Sequence, residues 1–269
     1  MRLTIEHTTL YRYDSPATSS VQSLRLTPQP FDGQTVIDWR IECQPAGPMQ
    51  EGRDAFGNTT HLMVITGPHQ QVEIKAIGTV DVEDRAGLVS GLVDTVPLRV
   101  YLRRTPLTEP GAAIATLSES IPRDATLPWL HALMSSIRET VDYLVGVTGA
   151  ETTGLEAFEA RQGVCQDHAH IFIAAARHAG IPTRYVTGYL LTEESAEAAA
   201  HHAWAEAWID GLGWLGFDVA NRICPTDRYV RLCAGLDARY AAPVRGSRRG
   251  GQGESLCVHV NVQRMAAQQ

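Results

Sequence analysis

No stretch of this 269-residue sequence approaches the roughly 20 consecutive apolar residues that a membrane-spanning helix needs. The N-terminus, MRLTIEHTTLYRYDSP, breaks its apolar residues with Arg2, Thr4, Glu6 and His7, so the uninterrupted core of a secretory signal is missing too. Cytoplasm is the expected location, with no membrane partner. Basic charge is also in short supply. The 23 Lys and Arg against 30 Asp and Glu leave a formal net charge of -7, whereas nucleic-acid binding relies on clustered cations, so no nucleic-acid partner is expected. The one basic run, VRGSRRGGQG at 244–253, is rich in glycine and reads as a mobile loop. Cysteine is sparse and scattered: Cys43, Cys165, Cys224, Cys233 and Cys257 are odd in number and form no C-x-x-C pair. Neither a disulfide framework nor a zinc ribbon is signalled, so each cysteine is judged by its surroundings.

What is present describes an ordinary globular chain. With 44% hydrophobic and 20% charged residues a sizeable core can be buried, and at roughly 150 residues per domain the length suggests two domains. Residues 1–104 read as strands: LTIEHTTLYRY, TVIDWRIEC, TTHLMVITG, QVEIKAIGTVDVE and VPLRVYL are rich in β-branched and aromatic residues. Turn signals such as DSP, PQPFDGQ and DAFGNT separate them, which points to a β-sandwich. From residue 105 to 269 the pattern changes. Leu130, Leu133, Met134, Ile137, Val141 and Leu144 fall at helical spacing, with Asp124 or Thr126 to cap and Gly146 to stop. A short helix is expected in TTGLEAFEARQG. Another is expected in RQGVCQDHAHIFIAAARHAG, with Ile171, Ala174, Ala175 and His178 as its stripe and Gly180 as its end. The runs TRYVTGYLL, HAWAEAWI and GWLGFDVA then read as strands, giving an α+β domain of helices on an antiparallel sheet. SLCVHVNVQRM alternates as a last strand, expected to complete that sheet.

Chemistry concentrates at Cys165. Gly163 and Val164 lead into it, so it falls at the first turn of a helix, where unpaired backbone N–H groups and the helix dipole favour an anion. A buried, inert thiol is the alternative. A nucleophilic thiol needs a base, and the base an orienting partner. In HHAWAEAWIDGLGWLGFDVA the large residues His202, Trp204, Glu206 and Trp208 alternate with alanines, as a strand with one large and one small face. If Ile209 pairs with Gly213 around a three-residue loop, His202 lies diagonal to Asp218 on one face. A two-residue loop would put them on opposite faces, so the site requires an odd loop length.

These segments resemble the transglutaminase-like superfamily, whose members carry Cys, His and Asp in that chain order on a papain-like core. GVCQDHAHIFIAAARHAGIPTRYVTGYL, HAWAEAW and GWLGFDVAN carry the likeness, over roughly residues 120–230. LYRYDSPATSSVQSLRLTPQP and DAFGNT resemble the β-rich N-terminal domain of bacterial members. The resemblance implies Cys165 as nucleophile, His202 as general base and acid, and Asp218 as the group that holds the imidazole. Where the family usually continues from this aspartate with Pro-Thr, this chain has Val219-Ala220. It also implies hydrolysis of peptide or isopeptide amides through a thioester, with no cofactor.

The Cys165 backbone N–H is the first candidate oxyanion donor. Tyr143 and Trp129 are candidates for a second, with core packing as the competing reading of each. Asp167 reads as a helix-start carboxylate and Glu206 as a buried, hydrogen-bonded one. His168 and His170, two apart on a helix, cannot face one point. Other functions remain open: amine transfer by the same thioester, a catalytically silent binding scaffold, or a metal hydrolase built from Asp167, His170, His201 and His202. The last lacks a helical ligand pair such as H-E-x-x-H. LTEESAEAAAH at 191–201 reads as a lid. No feature specifies the oligomeric state.

Overall fold

The computed structural model describes residues 1–192 and 201–265. It is a mixed architecture of two large sheets with helices packed on one of them. Two long strands, β1 (Arg2–Leu24) and β4 (Thr59–Val82), run antiparallel to each other and form the spine of the first sheet. Their period-two alternation decides which face is inward: Leu3, Ile5, His7 and Thr9 on β1, with Val72, Ile74, Ala76, Val80 and Val82 on β4, are all buried. The DSP triplet, expected as a turn, instead lies where the pairing register shifts between Arg12 and Ala17. Pro16 has no N–H for a ladder, and at a shift none is required. TTHLMVITG and QVEIKAIGTVDVE likewise form one strand, not two.

The shift divides the first sheet into two halves, each four strands wide. On one side β2 (Gln34–Gln44) and then β3 (Met49–Arg53) pair with β4. On the other side two strands from the far end of the chain pair with β1. These are β12 (Val244–Gly250) and β13 (Ser255–Arg264). Two expectations are corrected here. The basic run at 244–253 is largely an edge strand, and SLCVHVNVQRM joins the first sheet instead of the second. An arginine- and glycine-rich edge strand gains its partner through backbone hydrogen bonds alone, while exposed charge guards its free side, so it carries no apolar alternation.

The second sheet has the strand order β11-β8-β9-β10-β5. In chain order its members are β5 (Leu88–Val89), β8 (Thr183–Leu190), β9 (His201–Ile209), β10 (Gly213–Phe217) and β11 (Tyr229–Gly235). Both sheets therefore draw strands from either side of residue 104. Four helices accompany the second sheet: α1 (Gly111–Ser120), α2 (Thr126–Thr140), α3 (Gly154–Ala160) and α4 (Cys165–His178). α4 is buried along almost its whole length, packed by the other three helices and by β8 and β9. α2 buries Leu130, Leu133, Met134 and Ile137 as expected but ends at Thr140, ahead of Gly146. The chain leaves the helix because β6 (Asp142–Tyr143) pairs in parallel with β7 (Gln162–Gly163), which draws Tyr143 towards the start of α4 and leaves Leu144 exposed. VPLRVYL, expected as a strand, is a 3-10 turn over Leu98–Leu102 that sets Tyr101 edge-on to Trp214 at 5.0 Å. No helix among the described residues is long and apolar enough to cross a membrane.

Under the second sheet lies a buried ionic cluster. Glu206 accepts from Arg184 Nε at 2.6 Å and Arg231 Nε at 2.8 Å, and the Arg184 guanidinium sits 4.0 Å from the centre of the Trp214 ring. Burial alone would push the Glu206 carboxyl up, but the charges and hydrogen bonds of the two guanidiniums hold it down at about 2. A depressed carboxyl stabilises the fold above its unfolded value, and that stability is lost only as pH falls through about 2. Glu206→Gln removes the one carboxylate that two buried cations share, leaving Arg184 only Asp94 at 3.3 Å, and is expected to cost about 3–5 kcal/mol, read from the urea midpoint at neutral pH. A loss below about 1 kcal/mol, the scale of an exposed pair, would contradict this role.

Candidate active site

Cys165 is the first residue of α4 and is half-buried. Its own sequence sets this position. Val164 is extended and donates its N–H to Asp167 Oδ2 at 2.8 Å, and Thr148 Oγ1 donates to the same oxygen at 2.6 Å. Asp167 is thus the helix-start carboxylate that its position suggested. Gly163 makes room for it, since a Cβ there would meet Asp167 Cβ at 2.7 Å. The Cys165 N–H, in the first turn, has no intrahelical acceptor and is available to a ligand oxygen.

His202 and Asp218 come from the β9–β10 hairpin. Ile209 faces Gly213 across the three-residue loop at 210–212, and the register holds through Phe217 opposite Ala205. Strand parity then places His202 and Asp218 on one face. His202 Nε2 donates to Asp218 Oδ2 at 2.7 Å, and both side chains are buried. With Nε2 occupied, Nδ1 is left for the Cys165 thiol, which lies near enough for its charge to act on the ring. Burial works against a charged imidazole, but the hydrogen bonds and charges of Asp218 and Cys165 outweigh it and push His202 up to about 10. Burial likewise works against the Asp218 carboxylate. His202, Tyr229 and Asn221 overcome it and hold that carboxyl below its ordinary value.

Tyr229 Oη and Asn221 Nδ2 each donate to Asp218 Oδ2 at 2.7 Å, and the Asn221 N–H reaches Oδ1 at 3.3 Å. Neither residue stood out in the sequence reading. Residues 219–222 form a turn closed by the bridge between Asp218 and Ile223. Asn221 folds back on the carboxylate, and Arg222 adopts the left-handed φ of 58°. A polar residue three positions past the aspartate was the available signal for Asn221. Tyr229 gave none, because its approach depends on the path of β11.

The remaining candidates separate cleanly. Tyr143 is partly exposed and stacks on His168 at 6.0 Å; burial and then the charges of Cys165 and Asp218 push its phenol up to about 12. Trp129 is buried in the core with the Arg123 guanidinium 5.8 Å over its ring, the setting of a packing residue. His168 spans the carbonyls of Val164 at 2.9 Å and Val141 at 3.1 Å, while His170 accepts the Ala238 N–H at 3.2 Å. The two point apart, as helical spacing required. Among the described residues no group of three His, Cys, Asp or Glu side chains is placed to hold a metal ion. Most of the expected lid, at 193–200, lies outside the described residues.

Two family models match the chain: the bacterial transglutaminase-like N-terminal region over residues 3–81 and the transglutaminase-like superfamily over residues 116–219. An uncharacterized protein of Mycobacterium leprae is 31% identical over 98% of this chain and 99% of its own length. The chain belongs to the transglutaminase-like superfamily. A solved structure of a candidate cysteine protease from Cytophaga hutchinsonii shares the fold, with a TM-score of 0.79 at 22% identity over 100% of this chain and 92% of that one. A protein-glutamine gamma-glutamyltransferase of Pseudomonas aeruginosa is 34% identical over 85 residues, which is 29% of this chain and 13% of that protein. The transglutaminase-like match over 116–219 spans Cys165, His202 and Asp218.

For this transglutaminase-like chain the directions of the two shifts define a pH window. His202 is held above its ordinary value, so its contribution to stability is complete below about pH 6.5 and is lost progressively as pH rises to about 10. Asp218 is held below its ordinary value, so its contribution is complete above about pH 4 and is lost as pH falls through the lowered value. The stability difference between the wild type and Asp218→Asn, measured by urea denaturation at a series of pH values, is therefore expected to peak between about pH 4 and 6.5. A difference that grows above pH 7 would contradict the pair.

Proposed function

We propose that the protein is a thiol-dependent hydrolase of peptide or isopeptide amide bonds, working through Cys165, His202 and Asp218 and a thioester intermediate. The observation that carries this is an imidazole held through Nε2 at 2.7 Å by a buried carboxylate, with a helix-start thiol near enough for its charge to act on the ring. In that order each group does what its neighbour needs. Asp218 orients the ring and favours its charged form, and the charged ring favours a thiolate beside it.

The Cys165 sulfur forms a bond to the carbonyl carbon of a carboxamide, and the oxyanion meets the Cys165 N–H. The C–N bond then breaks as His202 Nδ1 gives its proton to the departing nitrogen, leaving ammonia or an amine and a thioester. Water attacks the thioester, His202 takes the water proton, and the C–S bond breaks to return the thiolate and a carboxylic acid. Tyr143, near the thiol and with a phenol that keeps its proton at neutral pH, is the second oxyanion donor in this scheme. An amine in place of water gives transfer, a second reading that the name of the Pseudomonas relative supports.

Two tests follow. Iodoacetamide is expected to label Cys165 rapidly in the wild type and slowly in His202→Ala. Slow, histidine-independent labelling would leave a silent scaffold as the better reading. Tyr143→Phe is expected to lower kcat about 100-fold with KM little changed, as for loss of one oxyanion donor. An unchanged kcat would return Tyr143 to packing.

A further inference from the structure

A cavity of about 680 Å³ lies between the β1–β13 part of the first sheet and the start of α4. Gln166, the residue after Cys165, lines it. So does Tyr185, which lies close enough to Cys165 for the thiol's charge to add to the effect of burial on its phenol. The cavity therefore adjoins the turn of α4 that carries the thiol.

The walls specify what fits. Leu256, Val258 and Val260, alternate residues on one face of β13, line one side, and the first two are 55% and 46% exposed. Among the described lining residues the charged side chains, Arg239 and Glu151, are bonded to each other. His7 is satisfied by Tyr189 Oη at 2.9 Å and Thr9 Oγ1 at 3.1 Å. Burial, with a smaller contribution from neighbouring histidines, pushes His7 down to about 3 and His201 down to about 4, so both rings are neutral at pH 7. His201 Nε2 differs from the rest. It is buried, it has no hydrogen-bond partner, and its side chain lines the cavity.

We propose that this cavity is a substrate subsite that takes a bulky uncharged side chain, aliphatic or aromatic, from the residue beside the reacting carboxamide. This rests on the amide chemistry proposed above and names the class of acyl donor. An apolar side chain gains by leaving water against Leu256, Val258 and Val260. A charged one meets neutral walls and loses its hydration without compensation.

The test uses the full chain with Cys165→Ala, so that binding is read without turnover. Titration calorimetry with peptides acetyl-X-Gln-amide, where X is Phe, Leu, Gly, Asp or Lys, is expected to show Phe and Leu binding at least about 10-fold more tightly than the other three. Val258→Trp, which fills the cavity from an exposed position, is expected to abolish that preference, with circular dichroism as the check on folding. Leu256→Trp serves the same purpose if Val258→Trp does not fold. Equal affinity across the series, no binding by any peptide, or a preference that survives a folded tryptophan variant would overturn the subsite. Failure of the chemistry is separate: histidine-independent labelling of Cys165 would remove the hydrolase reading while leaving a side-chain preference in binding intact.

Discussion

Ile209 stands opposite Gly213, and that pairing sets the geometry of the whole candidate site. Side chains on a strand change face at every residue, so one residue more or fewer in the loop at 210–212 would turn Asp218 away from His202. With the observed register the two meet at 2.7 Å in a buried setting. Three donors on Asp218, from His202, Tyr229 and Asn221, then offset the cost of burying its charge. The imidazole, held through Nε2, has only Nδ1 left to offer the thiol.

The thiol arrives from another element by equally local means. β6 and β7 pair side by side, Gly163 leaves space for the Asp167 carboxylate, and that carboxylate caps the first turn of α4. His168 fastens the same turn to the end of α2 by bridging two carbonyls. A single face of α4 would suffice for a surface helix, but this one is buried on nearly all sides, so its start is fixed by packing from three helices and the sheet. A rigid thiol facing a rigid imidazole is what a preorganised site requires.

Much of this was legible from residue order alone, because the rules involved are local. The alternation of large residues and alanines in HHAWAEAW identified a strand, an odd loop length was the condition for His202 and Asp218 to meet, and Gly163-Val164 ahead of Cys165 marked a helix start. The same locality explains the divergence of His168 and His170 and the burial of the Glu206 carboxylate, though not its arginine partners on other strands. What escaped was non-local. β12 and β13 return across more than 200 residues to pair with β1, and nothing in VRGSRRGG announces a partner. Tyr229 reaches Asp218 only because β11 lies beside β8. The early end of α2 follows from β6 pairing with β7, a contact that overrides the helical spacing of Val141 and Leu144.

The most direct measurement is intact-protein mass spectrometry of the wild type, acid-quenched within milliseconds of mixing with a glutaminyl peptide amide. The expected result is a species heavier by the peptide mass less ammonia, located to Cys165 by digestion, absent in Cys165→Ser, and discharged by hydroxylamine as a thioester must be. A thiol that reacts rapidly with iodoacetamide yet forms no such adduct with any glutaminyl or peptide amide donor would contradict an acyl-transfer site built from Cys165, His202 and Asp218.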